Sequence, residues 1–163
     1  MTRARGYAPR GARLVDAAPA GRWRTTTFVG GLTAAGLVAP MVLDGAMDGA
    51  AFAAYVRQVL APEARPGDLV VLDNLSAHKT PAVRAAFAAC GIAHLYLPPY
   101  SPDLNPIELA FSKLKRLARA AAERTVAGLW AGIGRWIDQL RPGECRNYLR
   151  HCGYHATKKR NRL

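Results

Sequence analysis

Residues 97–116 read LPPYSPDLNPIELAFSKLKR, and together with residues 70–78, VVLDNLSAH, they decide how this chain folds. Four prolines between Pro98 and Pro106 hold the backbone extended, so no helix can begin before Asn105. Asn105 followed by Pro106 is then a helix start: a capping residue, then a ring preset for the first turn. Beyond it Ile107, Phe111, Leu114, Ala118 and Ala121 recur at helical spacing, which predicts an amphipathic helix with that face inward. Residues 69–72, LVVL, are a continuous apolar run ending at Asp73. Such a run suits a strand buried on both faces, in a sheet covered by helices. One carboxylate, Asp73, therefore sits at a strand end, and a second, Glu108, lies in the first turn of a basic helix.

The rest of the chain organises around these two segments. Residues 25–32, TTTFVGGL, and 37–43, LVAPMVL, read as a hairpin of two strands. Asp48 can cap a helix in which Phe52, Tyr55, Val56, Val59 and Leu60 share a face. Thr80-Pro81 opens another helix, which Gly91 stops, and residues 92–97, IAHLYL, form a further strand. Thr125 caps a helix in which Leu129, Trp130, Ile133, Trp136, Ile137 and Leu140 repeat at helical spacing, and Pro142 starts a last short helix that ends near Gly153. The expected division is an arginine-rich irregular segment at 1–24, with at most a short strand at 12–15, a single folded domain at 25–154, and a basic tail at 155–163.

Twenty-three Lys and Arg against 11 Asp and Glu give a net charge of +12 over 163 residues, which favours polyanionic partners. The three cysteines, Cys90, Cys145 and Cys152, include no CxxC pair and suit reduced thiols in a cytosol. Cys145, His151, Cys152 and His155 cluster in sequence, but at no common zinc spacing, so helix-end packing explains them better. No apolar run reaches the ~18 residues of a membrane helix.

Phosphodiester chemistry needs an activated oxygen nucleophile and a stabilised leaving oxygen. Two divalent ions about 3.5–4 Å apart supply both when hard carboxylates hold them. Asp73 and Glu108 are candidates for that role, and each has a plainer reading. Asp73-Asn74 could be a polar turn after a strand. Glu108 falls at N3 of a helix capped by Asn105, the capping-box arrangement. Spacing alone does not decide between them. His78 and Asn105 sit beside the two acids; a surface histidine and a helix cap are their ordinary roles, and Asp103 reads as an exposed turn residue. Ser112, Lys115 and Arg119 follow Glu108 along one helix face, where a basic stripe would track a DNA backbone by phosphate contact.

The strings VLDNLSAH and SPDLNPIE, with 34 residues between Asp73 and Glu108, resemble the catalytic domain of DDE transposases. The likeness is to the bacterial insertion-sequence branch of the mariner superfamily, and it runs from about Gly6 to Tyr154. It implies an α/β, ribonuclease-H-like mixed sheet flanked by helices. Asp73 would be the second acid and Glu108 the third, both binding Mg²⁺ or Mn²⁺ in a two-metal site. His78, Lys115 and Arg119 would lie toward DNA. The partners implied are element-end and target DNA, with full-length transposase or a second copy of the chain; the location is the bacterial cytoplasm, and no membrane is involved. One position of the family pattern has no counterpart: the first acid, on an opening strand that lies centrally in the sheet. Asp16, Asp44 and Asp48 do not match it. The chain is therefore expected to lack that strand, to leave two sheet edges without a partner, and to be inactive alone. The alternative is a non-catalytic DNA-binding fragment that regulates or poisons full-length transposase.

Overall fold

The structure, a computed structural model, describes residues 6–15 and 25–154. Strands β1 (Thr26–Leu32) and β2 (Leu37–Asp44) form an antiparallel hairpin in register from Thr26↔Asp44 to Leu32↔Leu37, with an irregularity between Val29 and Gly31. The break has a local cause. Pro40 has no N–H to give the ladder, and Ala39 before it takes a left-handed φ of 49°. The Ala39 carbonyl instead accepts the Tyr55 hydroxyl at 2.9 Å.

Asp48 caps α1 (Gly49–Tyr55) by accepting the Ala51 N–H at 2.7 Å. This helix runs on through a π-helical turn (Val56–Leu60) into a last α turn, α2 (Ala61–Glu63). Strand β3 (Leu69–Leu72) follows, and after a 3-10 turn (Ser76–Lys79) comes α3 (Pro81–Ala89), capped by Thr80. Strand β4 (Ala93–Tyr96) pairs parallel with β3, Leu69 opposite Ala93 and Leu72 opposite Tyr96. Then come α4 (Ile107–Ala121), α5 (Val126–Ile137), capped by Thr125, and α6 (Pro142–His151). The element order and all three side-chain caps are those the sequence predicts, because each is set by a few adjacent residues.

Two cores lie on either side of the hairpin. Val29 and Met41 point into the first, with Phe52, Val56, Leu72, Val83 and Phe87. Phe28, Leu32 and Leu37 point into the second, with Ala110, Leu114, Trp136 and Cys145. Consecutive residues of a strand face opposite ways, so Phe28 and Val29 serve different cores. Phe28 meets Phe111 of α4 edge-on at 5.6 Å. Trp136 lies so close over Gly132 that a Cβ there would come within 2.7 Å of its ring.

Ala12–Val15 is irregular and exposed, within what the sequence allows. Two expectations need correction. Ala121 is exposed at the end of α4, and Ala110 takes its place in the core at 0% exposure. The LVVL strand is not buried on both faces. Val70, Leu72 and Tyr96 face the first core, while Leu69 and Leu95 are 56% and 55% exposed. The reason is the course of α4, α5 and α6, which pack on the hairpin and leave the outer face of β3–β4 uncovered. Among the described residues the two pairs of strands form separate sheets with no ladder between them. They share the first core, so a single layer of helices spans both. No helix among the described residues is long and apolar enough to cross a membrane.

Candidate active site

Asp73 stands where β3 ends. The Leu97 N–H reaches across to the Leu72 carbonyl at 2.7 Å, so the chain leaves both strands at the same end. Asp73 then turns the chain itself: its Oδ1 accepts the Leu75 N–H at 3.0 Å, an Asx turn. The same oxygen lies 2.7 Å from Nδ1 of His78. A carboxylate can only accept, so that nitrogen must carry the proton for the contact to be attractive. The ring N–H is out of line with the oxygen, and Nδ1 is buried without a well-aligned hydrogen-bond partner. At this distance the His78 side chain is still the main influence holding the Asp73 carboxyl below its usual range. Burial works against it, and the Leu75 N–H adds to it.

His78 is not an ordinary surface histidine. Its ring lies on Phe52 with centroids 4.1 Å apart, its backbone N–H donates to the Leu75 carbonyl, and its backbone carbonyl accepts the Tyr96 hydroxyl at 2.8 Å. Phe52 and Tyr96 belong to the first core, so the core holds the ring against Asp73. Asp73 thus closes an Asx turn and also lies beside a core-held histidine that lowers its carboxyl.

Glu108 lies in the first turn of α4, and here the capping-box reading fails. Pro106 is the capping position, and no side chain caps the helix. The backbone does that work: the Asn105, Glu108 and Leu109 N–H groups donate to the carbonyls of Pro102, Asn105 and Pro106. The 3-10 turn (Pro102–Leu104) takes the Asn105 N–H, and the carbonyls of Asn105 and Pro106 take the next two, so no side chain of Asn105 or Glu108 is needed as a cap. Glu108 is exposed, and its carboxylate makes no hydrogen bond or ion pair among the described residues. The loop before it is anchored from afar, since the Tyr154 hydroxyl donates to the Leu104 carbonyl at 2.9 Å across 50 positions.

Ser112, Lys115 and Arg119 are exposed on α4, away from buried Ala110, Leu114 and Ala118, and Arg116 is exposed beside them. Lys113 behaves differently: its Nζ donates to Glu144 at 2.6 Å and to the Gln139 carbonyl at 2.8 Å, tying α4 to α6. Glu144 also accepts the Tyr148 hydroxyl at 2.6 Å. Nothing in the sequence separates Lys113 from its neighbours, because its partner lies two helices away. Among the other acids, Asp48 is spent as a cap, Asp44 and Asp103 are exposed, and Asp16 lies outside the described residues. Trp23 and His155 lie outside them too. Cys145 and Cys152 are buried, which pushes both thiols up, and His151 is exposed.

Asp73 and Glu108 are hard oxygen donors of the type Mg²⁺ takes. Among the described residues, however, no group of three Asp, Glu, His or Cys side chains could hold a metal ion. The two acids do not by themselves make a two-metal centre.

Residues 1–127 match a family described as DDE superfamily endonucleases. No curated protein sequence matches the chain. Among solved structures, the catalytic domain of the Mos1 mariner transposase superposes with a TM-score of 0.58 at 15% identity, covering 79% of this chain and 74% of that one. The Mos1 strand transfer complex and a pre-cleavage Mos1 transpososome each give 0.52, at 18% and 17% identity. In both, 95% of this chain is covered, and it spans about half (52%) of the Mos1 chain. At these identities the likeness is one of fold.

Proposed function

The chain belongs to the DDE superfamily endonucleases, and from that premise we propose that it is the catalytic domain of a bacterial insertion-sequence transposase of the mariner superfamily. The reaction is divalent-metal-dependent cleavage of element-end DNA, followed by joining of the freed 3′-hydroxyl to a target. One observation carries this reading. The acid of SPDLNPIE, Glu108, is exposed and not used as a helix cap, while the acid of VLDNLSAH, Asp73, is held ionised by a histidine that the core positions. Glu108 is thus free of the capping role that would otherwise explain it, and Asp73, besides closing its Asx turn, lies against a histidine held by the core.

In this chemistry the metal ions supply the activated oxygen and steady the leaving one. Asp73 and Glu108 would bind them, His78 orients Asp73, and the exposed cations of α4 hold the DNA backbone without reading its sequence. The first acid would come from a strand outside the described residues. The separation of β1–β2 from β3–β4, two sheets under one helical layer, supports that arrangement. By this reading Asp73 and Glu108 without a first acid support little or no strand cleavage. The net charge of +12 and the exposed Lys115, Arg116 and Arg119 also suit a second reading, a DNA-binding fragment that regulates or poisons the full-length transposase.

The test compares residues 1–163 with a chain extended upstream on labelled element-end DNA, with Mg²⁺ and with Mn²⁺. The extended chain should nick and join, and Asp73→Asn or Glu108→Gln within it should abolish both reactions while leaving its folding intact. Full activity in extended Glu108→Gln would remove Glu108 from the site. Robust nicking by 1–163 itself would show that the first acid is already present. If neither chain cleaves but 1–163 inhibits an intact transposase, the regulatory reading stands.

A further inference from the structure

Three non-glycine residues among those described have a left-handed backbone: Ala39, Tyr100 and Ala122. Two of them have an internal reason. Ala39 is buried at the hairpin irregularity and gives its carbonyl to Tyr55. Ala122 closes α4, its N–H bonded to the Ala118 carbonyl, the ordinary left-handed helix end. Tyr100 has neither. It follows Pro99 in a turn, at a position with φ of 56° where glycine or asparagine would be the unstrained choice. Its side chain is fully exposed, at 102%, and makes no hydrogen bond or ring contact among the described residues. A bulky ring at positive φ carries a steric cost, and here the fold recovers nothing by burying it. Uncompensated strain of this kind gathers at sites that meet a ligand.

The loop cannot relax to bury the ring. Pro98, Pro99 and Pro102 fix their own φ angles. Ser101 donates its hydroxyl to the Pro99 carbonyl, and the Leu104 N–H donates to the Ser101 carbonyl. The loop also has a particular course: it leaves β4 at the end where Asp73 leaves β3, and it delivers Glu108 at its other end. The ring is therefore held out into solvent on the segment joining the two candidate acids.

We propose that Tyr100 is a stacking platform for an unpaired nucleobase at the DNA end being processed. This rests on the nucleic-acid reading above. Every base offers a π face, so stacking on an aromatic ring needs no sequence match, while exposed Lys115, Arg116 and Arg119 on the following helix attract the phosphates. A protein partner would bury a contiguous apolar patch. Among residues 98–106, Leu104 is the one other exposed large hydrophobic residue.

The test uses the whole chain and DNA carrying 2-aminopurine, whose fluorescence falls on stacking, either in a short 3′ overhang or inside a blunt duplex. Wild type should bind both and quench the overhang probe. Tyr100→Phe should do the same. Tyr100→Ala should lose about tenfold in overhang affinity and the quenching, with blunt-duplex binding kept. Tyr100→Gly should bind like Tyr100→Ala yet melt no lower than wild type, because glycine relieves the left-handed strain. A ring needed only for the fold would give the reverse, lower melting with any DNA effect following it. Equal affinity and quenching in Tyr100→Ala, or equal losses on overhang and duplex, would overturn the stacking role and leave the nucleic-acid reading intact. No binding of either DNA by wild type at low salt would overturn both.

Discussion

The hairpin and the β3–β4 pair are both two-stranded sheets, yet one is clad on both faces and the other on one. β1 and β2 divide their side chains between two cores, and no large hydrophobic residue of theirs is strongly exposed. β3 and β4 give Val70, Leu72 and Tyr96 to the first core and leave Leu69 and Leu95 in solvent. The candidate site belongs to the second, half-clad pair. Asp73 ends its central apolar run, and the loop from β4 leads to Glu108. A sheet in the middle of the molecule gains stability from both sides. A sheet at its margin trades some of that for access by a large substrate.

The comparison can be broken most forcefully at its shared core. Phe87, fully buried on α3 with its ring stacked on His94 of β4 at 4.5 Å, holds the half-clad sheet from its one covered side. Phe87→Ala should cost about 3–5 kcal/mol in denaturant unfolding. Within β3, Leu72→Ala should cost about 2–4 kcal/mol, whereas Leu69→Ser and Leu95→Ser should each fall within ~0.5 kcal/mol of wild type. If the two outer leucines prove as costly as Leu72, their face is covered in solution and the contrast between the sheets is void.

On the doubly clad side, Gly132→Ala sharpens the same comparison. The added methyl would meet the Trp136 ring at 2.7 Å in a packed core, so a loss of about 1–3 kcal/mol is expected in spite of alanine's better helix propensity. A gain in thermal stability would mean that α5 sits more loosely on the hairpin than described.

The smallest effect is electrostatic. Hydrogen bonds from Lys113 and then Tyr148 hold the Glu144 carboxyl below its ordinary range, while burial and Glu144 push the Tyr148 hydroxyl up to about 12. A depressed carboxylate stabilises above its unfolded pKa, and that contribution is lost as pH falls through the lower folded value. A raised phenol stabilises fully below its unfolded value near 10 and loses that contribution as pH rises toward 12. Lys113→Met should therefore cost only about 0.5–1 kcal/mol at neutral pH, and the difference from wild type should shrink in acid. A difference that persists once Glu144 is protonated would assign Lys113 a packing role.

The sequence revealed what is decided within a few residues. The caps at Asp48, Thr80 and Thr125, the proline-stiffened approach to α4 and the order of strands and helices all depend on adjacent side chains. Two readings failed for opposite reasons. The Asn105–Glu108 capping box was a sound local inference, defeated because backbone carbonyls from Pro102 to Pro106 accept the N–H groups that the two side chains would have bonded. The burial of LVVL on both faces could not be judged locally at all, since it depends on where helices 35 or more residues later come to rest. Asp73 and Glu108 were singled out as candidates by their surrounding strings. The tie from His78 to Asp73 was not legible there, because it needs a turn that brings the ring back and a phenylalanine from α1 to hold it there.

The bond from Tyr154 to the Leu104 carbonyl makes the end of α6 a remote handle on the candidate site. Whatever tugs on the last described residue, whether a fused domain, a surface attachment or a bound strand, pulls on the loop that presents Tyr100 and Glu108. A dye coupled just beyond Tyr154 would therefore report DNA arriving at that loop. Tyr154→Phe keeps the ring but removes the donor, and it should silence the report without touching either acid.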